Sequence, residues 1–352
     1  MNRRNNCDFS YTPWAVGAGV LGLAVGAQMA VRLRRRIDFH GKVVLITGGS
    51  RGLGLVMARE FAKAGADVAI CARDSDELDR ARQQVRQYGV DVLGVMCDVT
   101  KRNQVEGMVE GITRHFRRID ILVNNAGTIS VGPMETMTVK DYEESMQLHF
   151  WAPLYATLAV LPQMKRRGRG RIVNIGSIGG KIAVPHLLPY SASKFALVGF
   201  SEGLRAELEK DGIYVTTVCP GLMRTGSPRN AMFKGQHRKE YAWFTISDSL
   251  PLASMSARTA ARRILRACRY GEAEVMLNLP ARLAATIHGI LPGMTSELNA
   301  LIHGMLPEPG GIGTERRPGK ESESEWAPSK LTAPSESAAW ENNEVGARNS
   351  GT

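Results

Sequence analysis

The hydrophobic rhythm of the chain changes several times between its two ends. Residues Trp14 to Val31, WAVGAGVLGLAVGAQMAV, form an 18-residue run with no charge, closed by RLRRR. A helix of that length rises about 27 Å, enough to cross the hydrocarbon core of a bilayer. The pattern predicts a short tail over 1–12 and a transmembrane anchor over 13–33. Arg32, Arg34, Arg35 and Arg36 outnumber Arg3 and Arg4, which places the N-terminus outside and the main domain on the cytoplasmic side. The competing reading is a secretory signal, with Val25 and Ala27 at the −3 and −1 positions of a cleavage site. Ala18, Gly22, Gly26 and Ala30 recur every fourth residue, a small-residue stripe that could pair two anchors in a homodimer.

From Gly41 the pattern becomes an alternation. KVVLIT (42–47), DVAIC (67–71), DVLGVM (91–96), IDILVNN (119–125), GRIVNIG (170–176), IYVTTVC (213–219) and AEVML (273–277) are short β-rich runs. Longer segments with helical apolar spacing separate most of them. Such βαβα order predicts an α/β fold, a doubly wound parallel sheet with helices on both faces. The gap from 220 to 272 carries loop-like residues and then a helix around 257–269. Residues 281–306 turn apolar again and predict a helical pair. After Leu306 the composition shifts to Pro, Gly, Ser and Glu, which predicts a disordered tail over 307–352.

Charge alters the picture only at its edges. The net charge is +11 and the sequence pI about 9.6, but the basic residues are scattered. No zinc-finger spacing or aromatic-studded basic strand accompanies them, so nucleic acid is not an expected partner. A basic surface facing acidic lipid headgroups fits better. The five cysteines, Cys7, Cys71, Cys97, Cys219 and Cys268, show no CxxC or metal-ligand spacing. Three of them fall in or beside strands, as small hydrophobes in a reducing compartment, and no metal site is expected.

Chemistry concentrates at the ends of the strands. The first strand runs into TGGSRGLG, Thr47 to Gly54, and then a helix. Glycines at 48, 52 and 54 permit a tight turn and let backbone N–H groups approach a pyrophosphate at the helix N-terminus. Further on stand NNAG (Asn124 to Gly127), GSIGG with Ser177, PYSASK with Tyr190 and Lys194, and Pro220–Gly221. In order and spacing these motifs resemble the short-chain dehydrogenase/reductases, over about residues 39 to 280. The resemblance implies a Rossmann-type domain of seven parallel strands with its active site at their C-terminal ends. It implies Tyr190 as the acid–base residue, Lys194 as the group that lowers its pKa and holds the nicotinamide ribose, and Ser177 as the donor to the substrate oxygen. The cofactor set it suggests is Gly48, Ser50, Arg51, Gly52, Leu53, Gly54, Arg73, Asp98, Val99, Asn125, Ala126, Gly127, Tyr190, Lys194, Pro220, Gly221 and Thr225. Asp98 reads equally well as a helix N-cap.

Cofactor choice turns on CARDSDEL at the end of the second strand. Arg73 stands where NAD sites commonly carry an acid, and Arg51 lies in the glycine loop. Two guanidiniums suit a 2′-phosphate, so NADP(H) is expected over NAD(H). One position departs from the family pattern: MQLHFWAPLY carries His149 where an asparagine helps a proton relay to the lysine. A histidine there can keep the relay and titrate near neutrality, giving activity an acid limb. Residues 222–256 mix Met, Phe, Trp and Leu with a basic patch at Lys234, His237, Arg238 and Lys239. With the anchor, they suggest a lipophilic carbonyl or alcohol substrate. The expected function is a membrane-anchored NADP(H)-dependent oxidoreductase. The alternative is a catalytically weak NADP(H)-binding membrane protein that senses redox state or scaffolds partners.

Overall fold

The computed structural model describes residues 26–250, 254–329 and 331–345. Seven strands, β1 (Val43–Thr47), β2 (Asp67–Ala72), β3 (Val92–Met96), β4 (Ile121–Asn124), β6 (Gly170–Ile175), β7 (Ile213–Cys219) and β11 (Glu274–Met276), form one sheet. Their order is β11-β7-β6-β4-β1-β2-β3, and every pairing is parallel. All seven coincide with the apolar runs of the sequence. Buried on both faces, β1 has no reason to alternate polar with apolar residues and reads as a hydrophobic run, while β4 and β6 are buried throughout with Asn124, Arg171 and Asn174 among them.

The helices lie in two layers. Against one face pack α2 (Gly52–Lys63), α3 (Ser75–Arg86) and α9 (Ala257–Tyr270); against the other pack α4 (Arg102–Phe116), α6 (Ala152–Arg167) and α7 (Leu188–Leu208). α9 shows the logic most clearly. Ala257, Ala260, Ala261, Ile264 and Cys268 recur at helical spacing on its buried side, Ser256 caps its first turn, and Gly271 ends it at φ 59°. That cap accepts from the Thr259 N–H, and the left-handed glycine closes the last turn without a Cβ clash.

The remaining elements gather around the C-terminal ends of the strands. They include α5 (Val139–Met146), the helical segment α8 (His237–Ser249) inside the region expected as loop, and the pair α10 (Leu279–Ile290) and α11 (Pro292–His303). Short strands β5 (Ser130–Val131), β9 (Met232–Phe233) and β12 (Arg317–Pro318) make a second, three-stranded sheet, and β8 (Met223–Arg224) pairs with β10 (Met255–Ser256). β12 and the helix α12 (Ala333–Glu341) belong to the stretch whose composition predicts disorder. The expectation for 307–345 is therefore corrected: this segment packs back over the domain. Its apolar content is low, but its polar backbone and side chains find partners on the rest of the fold.

The anchor expected over 13–33 lies mainly outside the described residues. Residues 26–34 are helical (α1), and among the described residues no helix is long and apolar enough to cross a membrane. The arginine block beside it is not simply solvated. Arg32 pairs with Glu272, Arg35 pairs with Glu209, and the Arg35 and Arg171 guanidiniums lie 4.9 and 4.6 Å from the centroid of the Tyr214 ring. α1 is thereby tied to the end of the sheet where β7 and β11 begin.

A second correction concerns the basic patch of 234–239. Lys234 is 1% exposed, and its ammonium donates to the Asp141 carboxylate at 2.6 Å and to the Thr136 carbonyl at 3.1 Å. Asp141 also closes a capping box with Thr138 at the start of α5. Burial alone would raise the Asp141 pKa, but Lys234 and Thr138 outweigh it and hold the carboxyl below its usual range. Removing one partner of such a pair strands the other charge without water. Arg316, 3.2 Å from Asp141, keeps one cation on that carboxylate after Lys234 is lost. Lys234→Met is therefore expected to lower unfolding stability in urea by about 2 kcal/mol, and Asp141→Leu, which also opens the capping box, to lower it at least as much. A single-variant loss below about 1 kcal/mol would show that the pair is not holding α5 to β9.

Candidate active site

The sheet order reverses between β1 and β4, and a crevice opens at that switch point beyond their C-terminal ends. β1 ends at Thr47 and the chain turns sharply. Gly48 has φ 63°, and a Cβ there would stand 2.9 Å from the Ala126 Cα. Glycine is required on both counts. The Thr47 hydroxyl accepts the N–H groups of Asn125 (3.0 Å) and Ala126 (3.1 Å), while the Asn125 amide donates to the Thr47 and Gly48 carbonyls at 3.0 Å. At Gly54 a Cβ would meet the Gly48 carbonyl oxygen at 2.1 Å. The glycine loop and the NNAG segment are thus locked together by backbone contacts that admit no larger side chain.

α2 starts from this loop with no side-chain cap and no acid in its first turn. α3 is capped by Asp74, and α9 by Ser256. The uncapped N–H groups and the positive end of the helix dipole suit an anionic ligand. The residues present therefore fit a dinucleotide at Gly48, Ser50, Arg51, Gly52, Leu53 and Gly54. Arg51 is held by Glu77 at 2.9 Å, and Ser50 donates to the same carboxylate at 3.1 Å. Arg73 is exposed at the end of β2. Asp98 accepts from the Thr100 N–H (3.0 Å) and hydroxyl (2.7 Å), and α4 begins only at Arg102. Its carboxylate therefore closes a turn and does not cap the helix; Val99 beside it is buried.

The reacting groups come from β6 and α7. Ser177 stands two residues past the end of β6; its hydroxyl accepts the Gly179 N–H at 3.0 Å and lies beside the Tyr190 ring over Gly179. Tyr190 and Lys194 occupy one face of α7, with the ammonium 5.6 Å from the Tyr190 ring centroid. Lys194 is buried and donates to the Ile175 carbonyl at 2.8 Å. Pro220 accepts the Ile178 N–H at 2.7 Å, which binds the segment after β7 to the segment after Ser177. Gly221 abuts Asn278, and the Thr225 hydroxyl donates to Ser227 at 2.9 Å. Beneath these residues a buried chain of amides and hydroxyls crosses the sheet: Asn124 to Asn174 (2.8 Å), Asn174 to Ser201 (3.0 Å), and Thr217 to Ser201 (2.7 Å).

Burial sets the protonation of the site. It pushes the Tyr190 phenol up to about 12, against the pull of the Ser177 hydroxyl, with Asp248 and Cys219 adding to the rise. It also lowers Lys194 to about 8. The expectation that Lys194 depresses the tyrosine is not met in this arrangement, because its ammonium is directed at the Ile175 carbonyl. Asp248 on α8 is itself pushed up to about 7 by burial.

His149 is the clearest correction. It lies in a π-turn, Gln147–Trp151, between α5 and α6, which aims the ring inward. The Thr128 N–H donates to Nε2 at 3.2 Å, so the neutral ring carries its proton on Nδ1 and donates to the Ser193 hydroxyl at 2.8 Å. Ser193 in turn donates to the Tyr190 carbonyl at 2.8 Å, and the His149 ring stands edge-on to the Tyr190 ring at 5.4 Å. Burial, then the nearby Lys194 charge, holds His149 well below its ordinary pKa. It does not titrate near neutrality; it positions Tyr190.

Sequence reasoning found Ser177, Tyr190, Lys194 and the glycines, all brought together here. It missed Thr47, Glu77, Thr128, Ser193 and Asp248 as members of the site. Only Thr47, inside the glycine motif, and Ser193, inside PYSASK, carried a local signal. A groove of about 500 Å³ lies away from Tyr190, against Arg59, Tyr88, Arg258 and Glu341. It carries none of the reacting groups.

Comparison with known proteins agrees with this geometry. The family model for short chain dehydrogenases matches residues 42–233. A dehydrogenase/reductase SDR family protein 7-like from Anopheles gambiae is 36% identical, over 76% of this chain and 83% of that protein. The structure of L-sorbose reductase from Gluconobacter frateurii complexed with NADPH and L-sorbose is similar with a TM-score of 0.61 and 29% identity, over 69% of this chain and 97% of the other. NAD+-bound xylitol dehydrogenase shares the fold, with a TM-score of 0.60 at 24% identity over 68% and 98%.

The protonation pattern has a kinetic consequence. In the direction that protonates a carbonyl, Tyr190 keeps its proton up to about 12, and the limiting charge is that of Lys194. The kcat/KM for ketone reduction is expected to fall as pH rises through about 8, where Lys194 loses its charge. An inflection near 6.5 that disappears in His149→Asn would contradict this account. His149→Phe, which can hold neither Thr128 nor Ser193, is expected to lower kcat by about tenfold or more through misplacement of Tyr190.

Proposed function

The chain belongs to the short-chain dehydrogenase/reductase family, and we propose that it interconverts a carbonyl and an alcohol on a lipophilic substrate, with NADP(H) as cofactor, at a membrane surface. The observation that carries the catalytic part is the convergence of the Ser177 hydroxyl and the Tyr190 ring over Gly179, with the Lys194 ammonium 5.6 Å from the Tyr190 ring centroid. When bound, the nicotinamide supplies or accepts the hydride. Tyr190 gives its Oη proton to the substrate oxygen or takes it back, and Ser177 donates to the same oxygen as charge develops. Lys194 places a positive charge behind the phenol, and His149, through Ser193, fixes the backbone that carries it.

The preference for NADP(H) is supported by Arg51 at the glycine loop and Arg73 at the end of β2. Arg73 is exposed and Arg51 is partly exposed, and guanidiniums in such positions suit a 2′-phosphate. The lipophilic substrate and the membrane are supported by the α10–α11 pair. Leu283, Ile287 and Ile290 on the first helix, and Met294, Leu298 and Leu301 on the second, repeat at i, i+4, i+7 and are 43% to 71% exposed. Such a continuous apolar face is unusual on a soluble surface. Asn299 donates to the Ala183 carbonyl at 2.9 Å, so this face adjoins the segment between Ser177 and Tyr190. α10 follows β11, and α1 is tied to Glu272 just before β11.

The test is oxidation of NADPH by a panel of ketones of rising chain length, with the detergent-solubilised protein. Tyr190→Phe is expected to reduce turnover by about 10²–10⁴. Arg51→Ala is expected to raise the KM for NADPH more than that for NADH. Tight cofactor binding with no turnover of any carbonyl would favour the scaffold reading. In lipid vesicles, Ile287→Glu/Leu298→Glu is expected to raise the KM for long-chain ketones and leave a short soluble ketone unaffected. Equal effects on both would count against the hairpin as a route for lipophilic substrate.

A further inference from the structure

The anion-binding end of α2 already has a partner within the chain. The Gly52 N–H, at the first position of the helix, donates to the Asn342 carbonyl at 2.8 Å. The Asn343 amide donates to the Ser50 carbonyl at 2.9 Å and the Glu77 carbonyl at 3.1 Å, and its oxygen accepts from Arg80 at 2.9 Å. The Glu344 carboxylate stands 3.4 Å from Arg51 and accepts from the Asn230 amide at 2.6 Å. One of its oxygens fills the space above Gly52, 2.6 Å from where a Cβ would lie. The helix before these residues is held just as closely: a Cβ on Gly226 would meet the Ala339 Cα at 2.3 Å, and the Asn342 amide donates to the Thr225 carbonyl at 3.3 Å.

We propose that residues 339–344 are an autoinhibitory plug that occupies the glycine loop in place of the dinucleotide and leaves when the dinucleotide binds. The inference rests on the reading that this loop is the cofactor site. Three features make the two occupants mutually exclusive. The Gly52 N–H has one proton to donate, and Asn342 accepts it. The open face of Gly52, which lets a phosphate approach the backbone, is filled by a carboxylate. Arg51, the cation nearest that face, is shared between Glu77 and Glu344. The plug copies the chemistry of the ligand with an acceptor on the helix N-terminus and an anion on the arginine. It is also built to leave. Burial pushes the Glu344 carboxyl up to about 7 against the pull of Arg51 and Asn230, with Glu77 adding to the rise, so its burial is only partly compensated. Apart from the Arg80–Asn343 bond, the contacts of Asn342 and Asn343 described above are neutral hydrogen bonds to backbone, individually weak in net terms.

The plug makes two demands on the full-length protein. NADPH binding, read by the fluorescence of the reduced nicotinamide, should tighten about tenfold in Asn343→Ala/Glu344→Ala, because the fraction of molecules with an open loop rises. The kcat at saturating cofactor should not change. In the wild-type protein, saturating NADPH should increase backbone hydrogen exchange across 333–344. That second measurement needs no variant and stands if the double variant folds poorly. An unchanged Kd in a folded double variant, or undiminished protection of 333–344 at saturation, overturns the plug and leaves the cofactor reading intact. Failure of both NADPH and NADH to bind either protein overturns the cofactor reading, and the plug with it.

Discussion

The close approach of two loops at the end of β1 is the constraint on which the site depends. Gly48 turns at positive φ against the backbone of Ala126, and no side chain fits between them. Thr47 and Asn125 tie the same two loops with side-chain bonds to backbone. From this contact follow the direction of α2, whose first turn is aimed at the crevice, and the position of the NNAG segment. That segment in turn presents the Thr128 N–H to His149, and His149 reaches Tyr190 through Ser193. A cofactor-side contact and a catalytic-side contact are therefore parts of one hydrogen-bonded frame. Substituting Gly48 would move both.

Within that frame the catalytic groups are governed more by burial than by one another. Desolvation favours the neutral form of any titratable side chain, and here it raises Tyr190, lowers Lys194 and lowers His149. The tyrosine is held as a proton donor, the histidine as a neutral linker with a fixed tautomer, and the lysine close to its point of half-protonation at ordinary pH. A histidine in place of an amide at position 149 is tolerable for this reason. Neutral imidazole, like an amide, offers one donor and one acceptor, and both are used. The departure from the family pattern thus conserves hydrogen-bonding capacity while changing shape.

What could be read in advance was what local sequence determines. The seven strands are runs of β-branched and aliphatic residues long enough to be seen singly, and the glycine loop, Ser177, Tyr190 and Lys194 sit at fixed offsets from them. What could not be read depends on partners far along the chain. Lys234 looks like one member of a solvated basic patch until α5 brings Asp141 to it, 93 residues away. The π-turn at Gln147–Trp151 has no composition of its own, yet it decides where His149 points. α8 was hidden because its buried and exposed faces hardly differ in polarity: Glu240, Thr245, Asp248 and Ser249 are all buried. Glu240 is held by Trp243, three residues on, at 2.6 Å, and by His186, 54 residues away, at 2.8 Å, and only the first of these is visible in the local sequence.

The C-terminal segment shows why composition misleads at such places. A stretch rich in Ser, Glu, Pro and Asn buries too little apolar surface to fold alone, and that inference about its autonomous stability is sound. It does not extend to docking. An uncapped helix end is a set of N–H groups without partners, and any chain that offers carbonyls and a carboxylate at the right spacing gains by satisfying them. Asn343 adopts φ 59°, a left-handed conformation that asparagine tolerates better than most residues, and this bend lets three successive residues face the loop. A tail of this kind has little cohesion apart from the surface it covers, so its order is borrowed from the cofactor site. The polar composition that forbids independent folding is the same property that allows the segment to stand in for a phosphate and to be displaced by one.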